Sequence, residues 1–301
     1  VRKKLCGKSR REKIMPNYRK KLAVKLGSKI RLKDFDPGYH GKHESRKAAL
    51  PEIEENRQKM DDLQYLMYAE NKHSLLIVLQ GLDAGGKDGV VRHVFTGLNP
   101  EGCVAVNFKE PTPKELAHDF LWRVHPHVPA KGAVVIFNRS HYEDVLVARV
   151  HGLVPEKIWS KRYDEINDFE RLITTENNTT ILKFFLHISK EEQLARFKKR
   201  LDDSARQWKI SESDYKERGY WDDYTKAFED VLTKTSTDHA LWFIIPSNHK
   251  WFRDLAISQI IVREMEAMGM QFPKPTVNLA EIRRKYHEAA GLGKANRHKK
   301  R

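Results

Sequence analysis

Five apolar runs punctuate the chain: Leu75-Leu76-Ile77-Val78-Leu79, Val104-Ala105-Val106, Ala133-Val134-Val135-Ile136-Phe137, Ile181-Leu182-Lys183-Phe184-Phe185-Leu186 and Leu241-Trp242-Phe243-Ile244-Ile245. Helical segments separate them. Near-continuous apolar strands in alternation with helices predict an α/β fold whose five-stranded parallel sheet is covered on both faces. Ligands of such sheets collect beyond the carboxyl ends of the strands.

Between the strands the pattern changes period. Residues 52–70 read as an amphipathic helix with Ile53, Met60, Leu63, Leu66 and Met67 on roughly one face. Another helix runs through Val90, Val91, Val94 and Phe95 and ends near Gly97. Residues 155–176 read as one helix opened by Pro155, which is favoured in a first turn. Residues 190–232 read as two helices around a polar, basic bend, Lys198–Lys209. Such a hairpin has the layout of a lid, here spanning about 196–222. A helix over 249–268 follows the last strand, Pro273 and Pro275 break it, and 279–290 form another. Residues 16–50 read as an irregular basic lead-in with a turn at Pro37-Gly38.

Charge is unevenly spread. The chain has 301 residues, 40% of them hydrophobic, and a net charge of +15. Residues 1–33 carry +13 and residues 294–301 carry +5, which leaves −3 for everything between. The fold proper is near neutral and the basicity sits in tails that attract polyanions. Val1 is not a usual start, and Met15 is a candidate for one. The expected division is a basic extension over 1–50, a main domain over 51–275, and a C-terminal helix with basic tail over 276–301. No apolar run reaches the ~18 residues of a membrane span. With two cysteines, Cys6 and Cys103, and no secretory signal, the expected setting is cytoplasmic.

The chemistry concentrates at Gly81-Leu82-Asp83-Ala84-Gly85-Gly86-Lys87-Asp88-Gly89, directly after the first strand and opening a helix. Gly81, four residues, then Gly86-Lys87 fit the phosphate-cradling loop, whose N–H groups and helix N-terminus favour an anion. Lys87 would reach terminal phosphate oxygens as a movable charge. Asp83 is unusual, because a carboxylate inside a phosphate cradle needs a cation beside it. Magnesium, bound through one or two carboxylates plus phosphate oxygens, supplies that cation; the bland reading is a turn aspartate. Asp88 stands where Ser or Thr would hold magnesium, and helix-start electrostatics explain it equally well.

The third strand ends in Phe137-Asn138-Arg139-Ser140-His141-Tyr142-Glu143-Asp144. Arg139 would grip phosphate oxygens two at a time. Asn138 sits where an aspartate often holds the metal, and that shifts the burden to Asp83. Ser140 and Glu143 form a capping-box pattern, compatible with a site role for Glu143 because this helix start faces the cleft. In the lid, Arg196, Arg200, Arg206 and Lys209 would supply cations to a polyanionic donor and exclude water. Trp208 and Trp221 read as packing anchors.

These blocks together resemble the polyphosphate kinase type 2 family over about residues 30–275. The matching residues are 81–89, 137–145, Thr179–Ser189 and Arg200-Leu201-Asp202 with Trp208-Lys209. The resemblance implies a three-layer phosphate-loop kinase fold, similar to thymidylate kinase, with a helical lid. It implies magnesium-dependent transfer of the terminal phosphoryl of inorganic polyphosphate to a nucleotide. The pair Asn138 and Glu143 looks like the subclass that accepts both AMP and ADP. Phosphate contacts are then expected from Gly81, Ala84, Gly85, Gly86, Lys87, Asp88 and Gly89, from Arg139, and from Arg200 and Lys209. Catalysis is expected from Asp83, Lys87, Arg139 and Glu143, with Asp83 and Glu143 as metal ligands. The expected partners are polyphosphate, AMP, ADP and further copies of the chain in a homo-oligomer, without membrane or nucleic acid. An ATP-dependent nucleotide kinase of the same fold is the first alternative, separable by its donor. A basic nucleic-acid-binding protein is the second, and the slightly acidic folded region speaks against it.

Overall fold

The computed structural model describes residues 16–298. The tail expected over 1–14 lies outside the described residues. From the N-terminus come α1 (Tyr18–Leu22), α2 (Arg46–Glu70), β1 (Ser74–Gln80), α3 (Lys87–Val94), β2 (Cys103–Asn107), α4 (Pro113–Leu116) and β3 (Val134–Asn138). Then follow α5 (Val147–Val150), α6 (Glu156–Trp159), α7 (Arg162–Asn177), β4 (Thr179–His187), α8 (Lys190–Asp202), α9 (Glu212–Gly219), α10 (Trp221–Lys234), β5 (Trp242–Pro246), α11 (Lys250–Ala267) and α12 (Leu279–His298).

The five strands form one parallel sheet in the order β2-β3-β1-β4-β5, as the apolar runs predict. Strand side chains alternate between the faces. Leu75, Ile77 and Leu79 of β1 pack with residues of α1, α2, α3 and α11. Leu76 and Val78 pack on the opposite face with α7 and α10. The result is three layers, with β1 central and buried throughout. The chain divides into two compact units at Met270–Gln271, and the features discussed below all belong to the first. No described helix is long and apolar enough to cross a membrane.

Local expectations differ from the structure in four places. The lead-in is irregular but not peripheral: Tyr18, Leu22, Val24, Ile30 and Leu32 are buried, and the Val24 amide donates to the Trp242 carbonyl at 2.9 Å. Helix α2 starts at Arg46 rather than at 52, because Ser45 caps it through the Ala48 amide and Pro51 falls early enough to be tolerated. The helix expected over 155–176 is two, α6 and α7, with Pro155 as the cap of the first. The lid holds three helices, since α9 restarts at Ser211, whose amide donates to Asp214 at 2.9 Å.

Candidate active site

Chain geometry at the end of β1 requires glycine. Gly81 has φ +154°, and a Cβ there would lie 2.9 Å from the Leu186 carbonyl oxygen on the neighbouring strand. Gly86 caps α3 with φ +106°, and a Cβ there would collide with the Arg253 guanidinium. Between them the loop is braced from behind. Gln193 donates to the Asp83 carbonyl at 2.9 Å, Arg196 to those of Ala84 and Gly85 at 2.7 and 2.9 Å, and Arg253 to that of Gly86 at 3.2 Å. With its carbonyls engaged by α8 and α11, the loop presents its amides and the start of α3 to the cleft.

Arg196 is therefore not a lid cation. It is 5% exposed, and it also donates to the Ser247 carbonyl after β5. Arg253, which the sequence pattern does not single out, is 1% exposed and does the same from α11, held by Asp254 at 2.7 Å. Both are struts of the phosphate loop. Arg200, Arg206 and Lys209 also line the cleft but are not spent on the loop: Arg200 donates to the Lys209 carbonyl at 3.1 Å and Arg206 pairs with Asp203 at 2.9 Å. Trp208 is 77% exposed and not a core anchor; its indole donates to the Ala205 carbonyl at the tip of the lid, and the Lys209 ammonium lies 4.8 Å from its ring.

The carboxylates converge on Arg139. This residue leaves β3 in the left-handed region, φ 62°, with its amide bonded to the Leu79 carbonyl at 3.1 Å. Its guanidinium lies 3.1 Å from Asp83 and 3.8 Å from Glu143. Burial works against the Arg139 cation, but the Glu143 and Asp83 charges outweigh it and hold the group above its ordinary value. The capping-box account of Glu143 is not what forms. The Ser140 hydroxyl accepts from the Tyr142 amide at 3.2 Å, and the Glu143 carboxylate turns to Arg139 instead.

Lys87 is buried, and its ammonium donates to the Gly81 and Leu82 carbonyls at 2.5 and 3.4 Å. Burial first, and then the Arg139 charge, push it below the ordinary lysine range. Asp88 has two partners beyond its place in the first turn of α3. Its carboxylate accepts from Asn138 at 2.9 Å and lies 3.9 Å from Lys209, so it ties β3 to the lid.

The cleft enclosed by these groups has a volume of about 1360 Å³. Its walls add cations absent from the sequence-based expectation: Arg46 and Arg57 of α2, Arg92 of α3, Lys109, Lys199 and Lys250. Lys250 is pushed down by burial and then by Arg196, Arg253 and Lys199. Cations crowded until they repel each other fit a polyanion between them. A second cavity, about 990 Å³, lies between Trp122 and α7 and holds none of these residues.

For magnesium the donor set is partial and suitable. Among the described residues, no group of three or more His, Cys, Asp or Glu could hold a metal. Asp83 and Glu143, drawn together by one guanidinium, offer two carboxylates. The side-chain amide oxygen of Asn138, beside Asp88, is buried without a partner. Magnesium bound mainly through substrate phosphates and water takes that many protein ligands and no more.

Residues 43–273 match the family model of polyphosphate kinase 2 (PPK2). The chain is 49% identical to the AMP/ADP-polyphosphate phosphotransferase of Meiothermus ruber, over 85% of this chain and 96% of that one. It is 41% identical to the ADP-polyphosphate phosphotransferase of Rhodopseudomonas palustris, over 85% and 93%. Among solved structures, polyphosphate kinase 2 from Arthrobacter aurescens superimposes with a TM-score of 0.85 at 38% identity, covering 88% of this chain and 95% of that one.

Proposed function

The chain belongs to the polyphosphate kinase 2 family and is a phosphotransferase that uses polyphosphate and nucleotides, and we propose that it accepts both AMP and ADP, giving ADP and ATP. The observation that carries the site assignment is Arg139, suspended between Asp83 and Glu143 at the mouth of a braced phosphate loop. The chemistry follows from charge. An acceptor phosphate, whose second pKa is near ~6, is already ionised at neutral pH and needs no strong base. The obstacle is bringing two anions together in line.

This chain's residues address that obstacle in three ways. The loop amides and Lys87 would bind the phosphoryl in transit. Arg139 would align the meeting groups, since the guanidinium can grip two oxygens. Arg200, Arg206 and Lys209 would hold the donor chain from the lid and exclude water, which would otherwise waste the phosphoryl group. Asp83 and Glu143 are the residues that would hold magnesium, which when bound neutralises charge on the phosphates. AMP is one phosphate shorter than ADP, so its acceptor oxygen lies in a different place, and Glu143 would hold a metal or water there. The paucity of cysteine and the nucleotide substrates fit a cytoplasmic enzyme.

The test is direct. The protein, polyphosphate and magnesium are mixed with AMP or with ADP, and nucleotides are separated by ion exchange. ADP and ATP are the expected products; no product from either acceptor would overturn the reading.

A further inference from the structure

Beneath the site lies an ion pair that the reaction does not touch. Lys183 of β4 and Glu170 of α7 are both fully buried and 2.6 Å apart. The Lys183 ammonium also donates to the Thr235 carbonyl at 2.6 Å and to the Tyr142 hydroxyl at 2.9 Å. Glu170 accepts from the Tyr142 hydroxyl at 2.8 Å and lies 3.3 Å from the His141 Nε2. Burial alone would raise the Glu170 carboxyl, but the Lys183 charge and the His141 bond reverse it and hold the group below its ordinary range. Two charges inside an apolar layer are a poor way to gain stability, because desolvation consumes most of their attraction. An apolar pair of the same volume would fill the space as well. The pair therefore calls for a second explanation.

We infer that the Lys183–Glu170 pair is a positioning device, which clamps Tyr142 and His141 so that Arg139 is aimed into the cleft with Glu143 held beside its guanidinium. The turn itself makes the case. Arg139 sits at φ 62°, a left-handed conformation that is strained for a non-glycine residue. Ser140 then continues in fully extended geometry, φ −166° and ψ −167°, before the chain turns at His141–Asp144. His141 and Tyr142 point inward, 1% and 0% exposed, while Arg139 before them lines the cleft and Glu143 after them lies 3.8 Å from the Arg139 guanidinium. Something must keep Arg139 out of its relaxed conformation. The inward half of the turn is held by hydrogen bonds that end on the buried pair, and Glu143 follows Tyr142 directly. Tyr142 also packs edge-on against Trp242 at 4.9 Å, so its ring is fixed and its hydroxyl sets the remaining freedom.

The inference rests on the functional reading above, and the experiment separates the two. The double variant Lys183→Met/Glu170→Met removes both charges at similar volume and leaves the buried Tyr142 hydroxyl, His141 ring and Thr235 carbonyl without these partners. Its urea midpoint is therefore expected below that of the parent. Its kcat with AMP and with ADP is expected to fall roughly ten- to a hundredfold, because a misplacement near 1 Å at the reacting groups has that effect. KM for polyphosphate stays within about twofold, since the loop and lid do not touch the pair. Tyr142→Phe, which removes one hydroxyl and keeps the ring, moves kcat in the same direction and decides the matter if the double variant does not fold. A crystal structure of Tyr142→Phe reads the geometry without turnover: Arg139 is expected to leave the left-handed region and its contact with Asp83. Folded variants with parental kcat, or an Arg139 unmoved in that structure, would overturn the inference. An inactive parent would overturn the functional reading instead, and the crystal structure would still decide the positioning role.

Discussion

Replacing Arg196 by methionine separates a strut from a substrate-binding cation. The side chain is 5% exposed and satisfies the Ala84 and Gly85 carbonyls at 2.7 and 2.9 Å as well as that of Ser247. Methionine keeps much of the stem volume and removes every donor. Each buried acceptor left unpaired costs about 1–3 kcal/mol. Water from the adjacent cleft can reach the two loop carbonyls, so the lower half of that range applies to them; with the buried Ser247 carbonyl at the full range the sum is about 3–7 kcal/mol. The freed Glu192 is partly exposed and adds little. For a domain of this size each kcal/mol moves Tm by roughly 2–4 °C, so a fall of roughly 6–28 °C is expected by calorimetry. KM for polyphosphate should rise with it, because the loop loses its brace. Arg206→Met is the control. Arg206 touches only Asp203 on the lid tip, so Tm should hold within about 2 °C while KM rises. If Arg196→Met instead left Tm unchanged and only raised KM, Arg196 would be a donor-binding cation and the bracing of the loop would be refuted.

Three other outcomes follow from the same geometry. Glu143→Asn should lower kcat/KM for AMP roughly tenfold more than for ADP, because the short acceptor depends on it; equal losses would leave Glu143 with a structural role alone. Asp83→Asn, or chelation of the parent with EDTA, should lower transfer by roughly a hundredfold or more, with excess magnesium restoring only the chelated parent; full activity in EDTA would refute the metal assignment. His187, with its ring against the Phe35 carbonyl at 3.1 Å, is pushed below its ordinary range chiefly by burial. A depressed histidine contributes stability above its unfolded value of about 6.5 and loses it as pH falls through its folded value. The urea midpoint should therefore drop between pH 7.5 and 5, and His187→Gln should flatten that drop; an unchanged slope would contradict the assignment.

The sheet and the phosphate loop were legible because their signals are local. An unbroken apolar run, two glycines and a lysine at fixed spacing need nothing from elsewhere in the chain. The lead-in was not legible, because Tyr18, Leu22, Val24, Ile30 and Leu32 follow no single period and stand among lysines. Their burial depends on surfaces built by α10, β5 and α11, far away in sequence. Arg196 and Arg206 look alike on paper, both basic residues of one hairpin. What separates them is the loop carbonyls more than 100 residues upstream, which reach Arg196 alone. Arg253 carries no motif, and its only sequence trace is the glycine it requires at position 86. Glu143 failed in the opposite way: a satisfying local pattern with Ser140 obscured a stronger partner in Arg139. Residues whose role is set by neighbours in sequence were readable; those set by neighbours in space were not.

The central claim is that one phosphoryl group leaves a polyphosphate chain for each one gained by the nucleotide. Phosphorus NMR on the protein with a short polyphosphate of defined length, magnesium and AMP follows both pools in one tube. The expected result is loss of chain phosphate matched one for one by new ADP and ATP resonances, with little free phosphate. Chain loss that appears as free phosphate, or nucleotide gain without chain loss, would contradict the account.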